Sequence, residues 1–112
     1  MYNTERVKLE IENYIVSTGK IFTSTKRGDV IYIRIQILAN KVLEIRCNIH
    51  KNELKLSVKR MVHLVGNRFT YSEVVNSAEV TPIDFRKDGY MDILVQVYHR
   101  YTNNKLIKLL SK

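Results

Sequence analysis

The sequence predicts an α+β domain, and three patterns predict it: a helical apolar repeat near the start, several short runs of alternating β-branched residues, and a mid-chain stretch with helical spacing and cationic flanks. At 112 residues, 45% hydrophobic and 27% charged, the chain matches a single globular domain with one core. Neither disorder nor a fibrous class is indicated.

From Asn3 to Ser17 the residues Val7, Ile11, Tyr14 and Ile15 recur at helical spacing, with Asn3 or Thr4 to cap the start and Gly19 to stop it. Val7, Leu9 and Ile11 also alternate as a strand would. Ile21 to Thr25 reads as a strand entering the polar turn Lys26, Arg27, Gly28, Asp29. Between Val30 and Leu38, Ile31, Ile33, Ile35 and Ile37 alternate with Tyr32, Arg34 and Gln36, a strand by local pattern. An apolar helix face through Val30, Ile33 and Ile37 is the competing reading. Val42 to Ile49 is a strand, ended by His50, Lys51 and Asn52.

Beyond this break Leu54, Val58, Met61 and Val65 fall at helical spacing, with Asn52 as cap and Gly66 as stop, which predicts an amphipathic helix. Tyr71 to Val80 and Tyr90 to Tyr101 read as two strands joined by a turn-rich stretch containing Pro82. In the second of these, Met91, Ile93, Val95 and Val97 share one face, opposite Asp92, Gln96, Tyr98 and Arg100. Lys105 to Leu110 reads as a last short helix.

Nineteen Lys and Arg against eleven Asp and Glu give a net charge of +8 and raise the expectation of a polyanionic partner. The span from Lys41 to Arg68 holds seven cations (Lys41, Arg46, Lys51, Lys55, Lys59, Arg60, Arg68) and two anions (Glu44, Glu53), more than half of the excess. The pairs Lys26 with Arg27 and Arg86 with Lys87 sit in expected turns, where long cations reach phosphates. Tyr90, Tyr98 and Tyr101 are candidates for stacking on bases, or else core residues.

Enzymatic readings are weak. Gly19, Gly28, Gly66 and Gly89 occur singly, so no phosphate-cradling loop is present. Cys47 and His50, three residues apart on a strand, point to opposite faces and have no second pair, so neither a metal nor any other cofactor is expected. Nothing in the order of the chain joins His50, His63 or His99 to Asp84, Asp92 or Ser57. A single cysteine excludes an internal disulfide and suits a reducing cytoplasm. The charged opening residues Glu5, Arg6, Lys8, Glu10 and Glu12, and the interruption of the longest apolar run by Arg34 and Gln36, predict no signal peptide and no membrane partner.

The order from Ile21 to Tyr101 resembles the Alba superfamily of archaeal chromatin and RNA-binding proteins. "NKVLEIRCNIHKNELKLSV" (Asn40 to Val58) looks like that family's second strand, loop and second helix; "GNRF" resembles the helix end, "SEVVNSAEV" the third strand and "DILVQVYHRY" the fourth. The family's glycine-containing loop is replaced here by Ile49, His50, Lys51 and Asn52. The resemblance implies a two-layer domain, a four-stranded mixed sheet with two helices in the order βαβαββ. Residues 21–101 would form its core, 1–19 an N-terminal helical extension and 102–112 a tail. Under it the 30–39 segment becomes a helix, the reading preferred over the alternative of an antiparallel β-meander with flanking helices.

The resemblance further implies a homodimer, nucleoid-associated or in a host cytoplasm, that binds double-stranded DNA or structured RNA with little sequence preference. Lys26, Arg27, Lys51, Lys55, Arg86 and Lys87 would touch nucleic acid, and Phe69 would serve contacts between dimers. The runner-up expectation is an accessory or inhibitor domain whose basic face docks on an acidic protein.

Overall fold

The computed structural model describes residues 3–64, 66 and 68–110. The first element is α1, Thr4–Ser17, capped by the Asn3 side chain, which accepts from the Glu5 N–H at 2.9 Å. Its buried stripe is Thr4, Val7, Ile11 and Ile15, the helical repeat legible in the sequence. Six strands follow: β1 (Phe22–Arg27), β2 (Val30–Leu38), β3 (Lys41–Asn48), β4 (Glu53–Leu64), β5 (Arg68–Glu73) and β6 (Glu79–Pro82). The chain closes with α2 (Tyr90–Arg100), a π-helical stretch (Tyr101–Leu106) and α3 (Ile107–Leu110).

β1 to β5 form an antiparallel sheet in sequence order, and β6 returns to pair with the first half of β4, on the same side as β5. One sheet face carries Ile31, Ile33 and Ile35 from β2, Leu43, Ile45 and Cys47 from β3, and Leu54, Leu56 and Val58 from β4. These pack with Val7, Ile11 and Ile15 of α1 and Tyr90, Leu94, Val97, Tyr98 and Tyr101 of the C-terminal helix in one contiguous core. The two helices lie side by side and run the same way: Tyr90 meets Glu10, and Tyr98 meets Tyr14 edge-on with ring centroids 5.9 Å apart.

Several sequence expectations are corrected. The 30–39 segment is a strand, as its local alternation said, and not the helix that the family resemblance favoured; Ile31, Ile33 and Ile35 can all be buried only at period 2. The amphipathic helix expected from Asn52 to Gly66 is β4; Val65 lies outside the described residues. Leu56 decides the matter. On a helix it would stand some 200° from Leu54, among the lysines, whereas on a strand it joins Leu54 and Val58 in the core, where it is 1% exposed.

The strand expected over Tyr90 to Tyr101 is helical, introduced by Gly89 at φ +87. Its buried residues Tyr90, Leu94, Val97, Tyr98 and Tyr101 follow a 3.6-residue period, while Ile93, placed inward by the alternating reading, is exposed. The strand expected from Tyr71 to Val80 is two elements: β5 ends at Glu73, and Asn76 at φ 62 turns the chain before β6. The observed order, one helix, six strands, then helix, differs from βαβαββ and matches the antiparallel meander with flanking helices. Val7, Ile11 and Ile15 of α1 and Leu106 near the C-terminal end all belong to the shared core.

Candidate polyanion interface

Antiparallel strands send alternate connections to opposite ends of the sheet, so the topology decides which charges meet. The β1–β2 turn, the β3–β4 turn, the loop after β6 and the start of α1 share one end, the turn end. Thr4 Oγ1 donates to Asp29 Oδ1 at 2.9 Å, Ile49 N–H to the Asp29 carbonyl at 2.9 Å, and Ile83 N–H to the Asn52 carbonyl at 2.9 Å. Five of the six cations singled out in the sequence, Lys26, Arg27, Lys51, Arg86 and Lys87, therefore gather here. Arg6 joins them.

Five carboxylates stand among these six cations: Glu5, Asp29, Asp84, Asp88 and Asp92. Lys26 bridges Glu5 at 2.6 Å and Arg86 bridges Asp84 at 3.3 Å. Hydrogen bonding and charge from Lys26 hold the Glu5 carboxyl below its usual range, and the Arg86 N–H does the same for Asp84. Both long helices begin at this end, where their dipoles favour acids such as Glu5 and Asp92. The turn end is thus close to electrical balance.

The sixth predicted cation, Lys55, lies elsewhere, on the sheet face turned away from the helices. No described helix covers this face, but β5 curls toward it, so that Tyr71 reaches Arg34 and Val42, Glu44 and Ser57 are buried. Arg34, Arg46, Lys55 and Lys59 stand on it around the carboxylates of Glu44 and Glu73. Arg34 Nε lies 2.9 Å from Glu44, and Lys55 and Lys59 reach Glu73 at 3.1 and 3.2 Å. The Glu44 side chain is only 6% exposed and works as a covered counterion to Arg34 and Lys59, which are themselves 35% and 17% exposed. Burial raises the Glu73 carboxyl, but hydrogen bonds from Lys55 and Lys59 outweigh it and leave the net shift downward. Arg34 sits 4.6 Å from the Tyr71 ring centre and Arg46 5.7 Å from that of Tyr32, arrangements that stiffen both guanidinium groups.

The end opposite the turns carries Lys20, Lys41, Arg60, Arg68, Lys105 and Lys108. Lys41 and Arg60 are direct cross-strand neighbours and line one 310 Å³ cavity with Glu73 and Leu109. Lys105 lies under the sheet margin, its Nζ donating to the Ala78 carbonyl at 3.3 Å. Among the described residues, no salt bridge involves Lys20, Lys41, Arg60, Arg68 or Lys105. The open face and this end together hold ten cations against three carboxylates, Glu44, Glu53 and Glu73; the remaining described chain holds eight against eight. The whole positive excess of the described residues is on one side of that division.

Other candidates fall apart in space. Tyr90, Tyr98 and Tyr101 are buried, which removes them as stacking platforms; burial pushes the Tyr101 hydroxyl up to about 12. The aromatics on the uncovered face are Tyr32 and Tyr71, with the exposed Phe69 beside them on β5. The sequence reading did not single out Tyr32 and Arg34; the signal for them was the polar side of the β2 alternation. Cys47 is buried in the core and its thiol is pushed far upward, while His50 is in the β3–β4 turn and His99 meets the Tyr14 hydroxyl at 3.2 Å. The side chain of His63 lies outside the described residues. Among the described residues there is no cluster of three metal-capable side chains, and no helix is long and apolar enough to cross a membrane. Comparison with protein-family models, with curated proteins and with solved structures returns no match.

Proposed function

We propose that this protein binds nucleic acid, duplex DNA or structured RNA, with little sequence preference, along the basic tract that runs from the uncovered sheet face to the end bearing Lys41 and Arg60. The observation that carries the reading is the segregation of charge: ten cations against three carboxylates there, and balance elsewhere. A like-charge pair such as Lys41 opposite Arg60 costs folding free energy unless an anion is present to relieve it. Cations spread over a sheet face and its margin suit contacts to phosphates, which position a duplex without reading its bases. The proposal rests on charge and not on the family resemblance. Lys55 is retained from the sequence expectation, and Lys26, Arg27, Arg86 and Lys87 are given a minor part because carboxylates surround them.

A second copy has a natural place at β5, an edge strand whose six residues, Phe69 included, are all exposed. Pairing there would extend the tract across two chains.

The test is a gel-shift titration with a random-sequence duplex. Contact with about five phosphates predicts a fall in affinity of roughly 500-fold between 50 and 200 mM salt. Replacing Lys41 and Arg60 by glutamate should abolish the shift, whereas Lys26→Ala with Arg27→Ala should weaken it only slightly. Absence of binding by wild-type protein near 50 mM salt at micromolar concentration would refute the proposal and favour an acidic protein partner.

A further inference from the structure

Where the uncovered face approaches the turn end, Arg46 stands directly across from Lys55 on the neighbouring strand. This second like-charge pair opens on a cavity of 190 Å³ lined by Arg46, Asn48, Lys51, Glu53, Lys55 and Val80. The side chain of Arg46 lines this cavity, and its Nε is buried with no hydrogen-bond partner among the described residues. A charged donor in that state costs free energy, and a folded protein retains it most cheaply where a ligand completes it.

The surroundings specify the ligand. Lys51 Nζ is carried to the rim by a turn that the Asn48 Oδ1 holds through the Lys51 N–H at 3.0 Å, which leaves the Asn48 amide NH₂ as a further donor. Lys55 shares its charge with Glu73 at 3.1 Å. Three cations and one amide against the single carboxylate of Glu53 favour an anion, and the planar fork of arginine favours one with paired oxygens. We propose that this cavity seats one phosphate group, held in two-point fashion by Arg46 and balanced by Lys51 and Lys55. Glu53 on the rim repels the anion and keeps it on the Arg46 side. The source of the group is either a backbone phosphate, which rests on the nucleic-acid reading above, or free phosphate.

Titration of the protein with inorganic phosphate, against sodium chloride at equal ionic strength, tests the seat. The readouts are the Arg46 Nε–Hε and Lys51 amide resonances. Saturable shifts with phosphate alone are expected, with affinity reduced about tenfold or more in Arg46→Lys, which keeps the charge but loses the fork. Lys51 is an exposed turn residue, so Lys51→Gln supplies a variant that keeps the fold and should weaken phosphate by a smaller factor. Equal shifts with chloride, or wild-type affinity in both variants, would overturn the seat.

A gel-shift of Arg46→Lys assigns the source: weaker duplex binding marks a backbone phosphate, and unchanged duplex binding with lost phosphate binding marks free phosphate. Saturation by phosphate in a wild-type protein that shifts no duplex would leave the seat standing and sink only the nucleic-acid reading.

Discussion

Arg60→Gln offers a test in which binding and stability move in opposite directions. Arg60 and Lys41 face each other between β3 and β4, and no carboxylate among the described residues bridges either. Like charges directly opposite on a sheet destabilise by roughly 0.2–1 kcal/mol. With an unfolding entropy of about 2.1 cal/mol/K per residue, a chain of 112 residues has about 0.24 kcal/mol/K, so removing the repulsion raises the melting temperature by about 1–4 °C. The gain is present in dilute buffer and vanishes near 1 M salt, where the screening length falls to about 3 Å. Binding moves the other way. One lost phosphate contact lowers the slope of log affinity against log salt by about 0.9 and removes a factor of about 3.5 from the change between 50 and 200 mM salt. Calorimetry at two salt concentrations, with gel-shift titrations of the same samples, measures both. Lys87→Gln at the nearly balanced turn end should leave the salt slope unaltered. A variant that melts at or below the wild-type temperature in dilute buffer, or that keeps the full slope, refutes the reasoning.

Other outcomes follow from the core and its hydrogen bonds. Leu56→Ala should cost about 2–5 kcal/mol in urea denaturation, because Leu56 is 1% exposed between the sheet and the helices; a surface-like loss under about 0.5 kcal/mol would contradict its strand placement. Tyr101→Phe removes the hydroxyl that donates to the Ser77 carbonyl at 2.6 Å in a fully buried site and should cost about 1–3 kcal/mol, read by the same method. Glu10 is held below the usual carboxylate range by hydrogen bonds from Tyr90 and Arg6, and Glu73 is shifted the same way by Lys55 and Lys59. A depressed folded-state pKa contributes stability that is complete above the unfolded value of about 4.3 and is lost as pH falls through the folded one. Melting temperature should therefore decline below about pH 4.5, and Glu10→Gln with Glu73→Gln should flatten that decline.

Local physics alone determined part of this protein. The Asn3 cap, the Val7–Ile11–Ile15 stripe and Gly19 specify α1 within a span of 17 residues, and the alternating isoleucines specify β2, in each case against a weaker competing pattern. β4 and α2 were ambiguous at the same level. Leu54, Val58 and Met61 satisfy a helical period as well as a strand does, and tyrosine can be counted on either a wet or a buried face until a partner surface exists. Only the tertiary structure resolved them, by burying Leu56 between its neighbours and Tyr98 and Tyr101 under α1 and Ser77. The excess of +8 was likewise visible in composition, but its location was not. Lys26 is neutralised by Glu5 from another element, and Lys41 is set against Arg60 by strand pairing. Local propensities differ by fractions of a kcal/mol per residue, whereas burying one large apolar side chain contributes about 1.5–3 kcal/mol. Packing therefore settles both the elements that propensity leaves undecided and the charges they bring together.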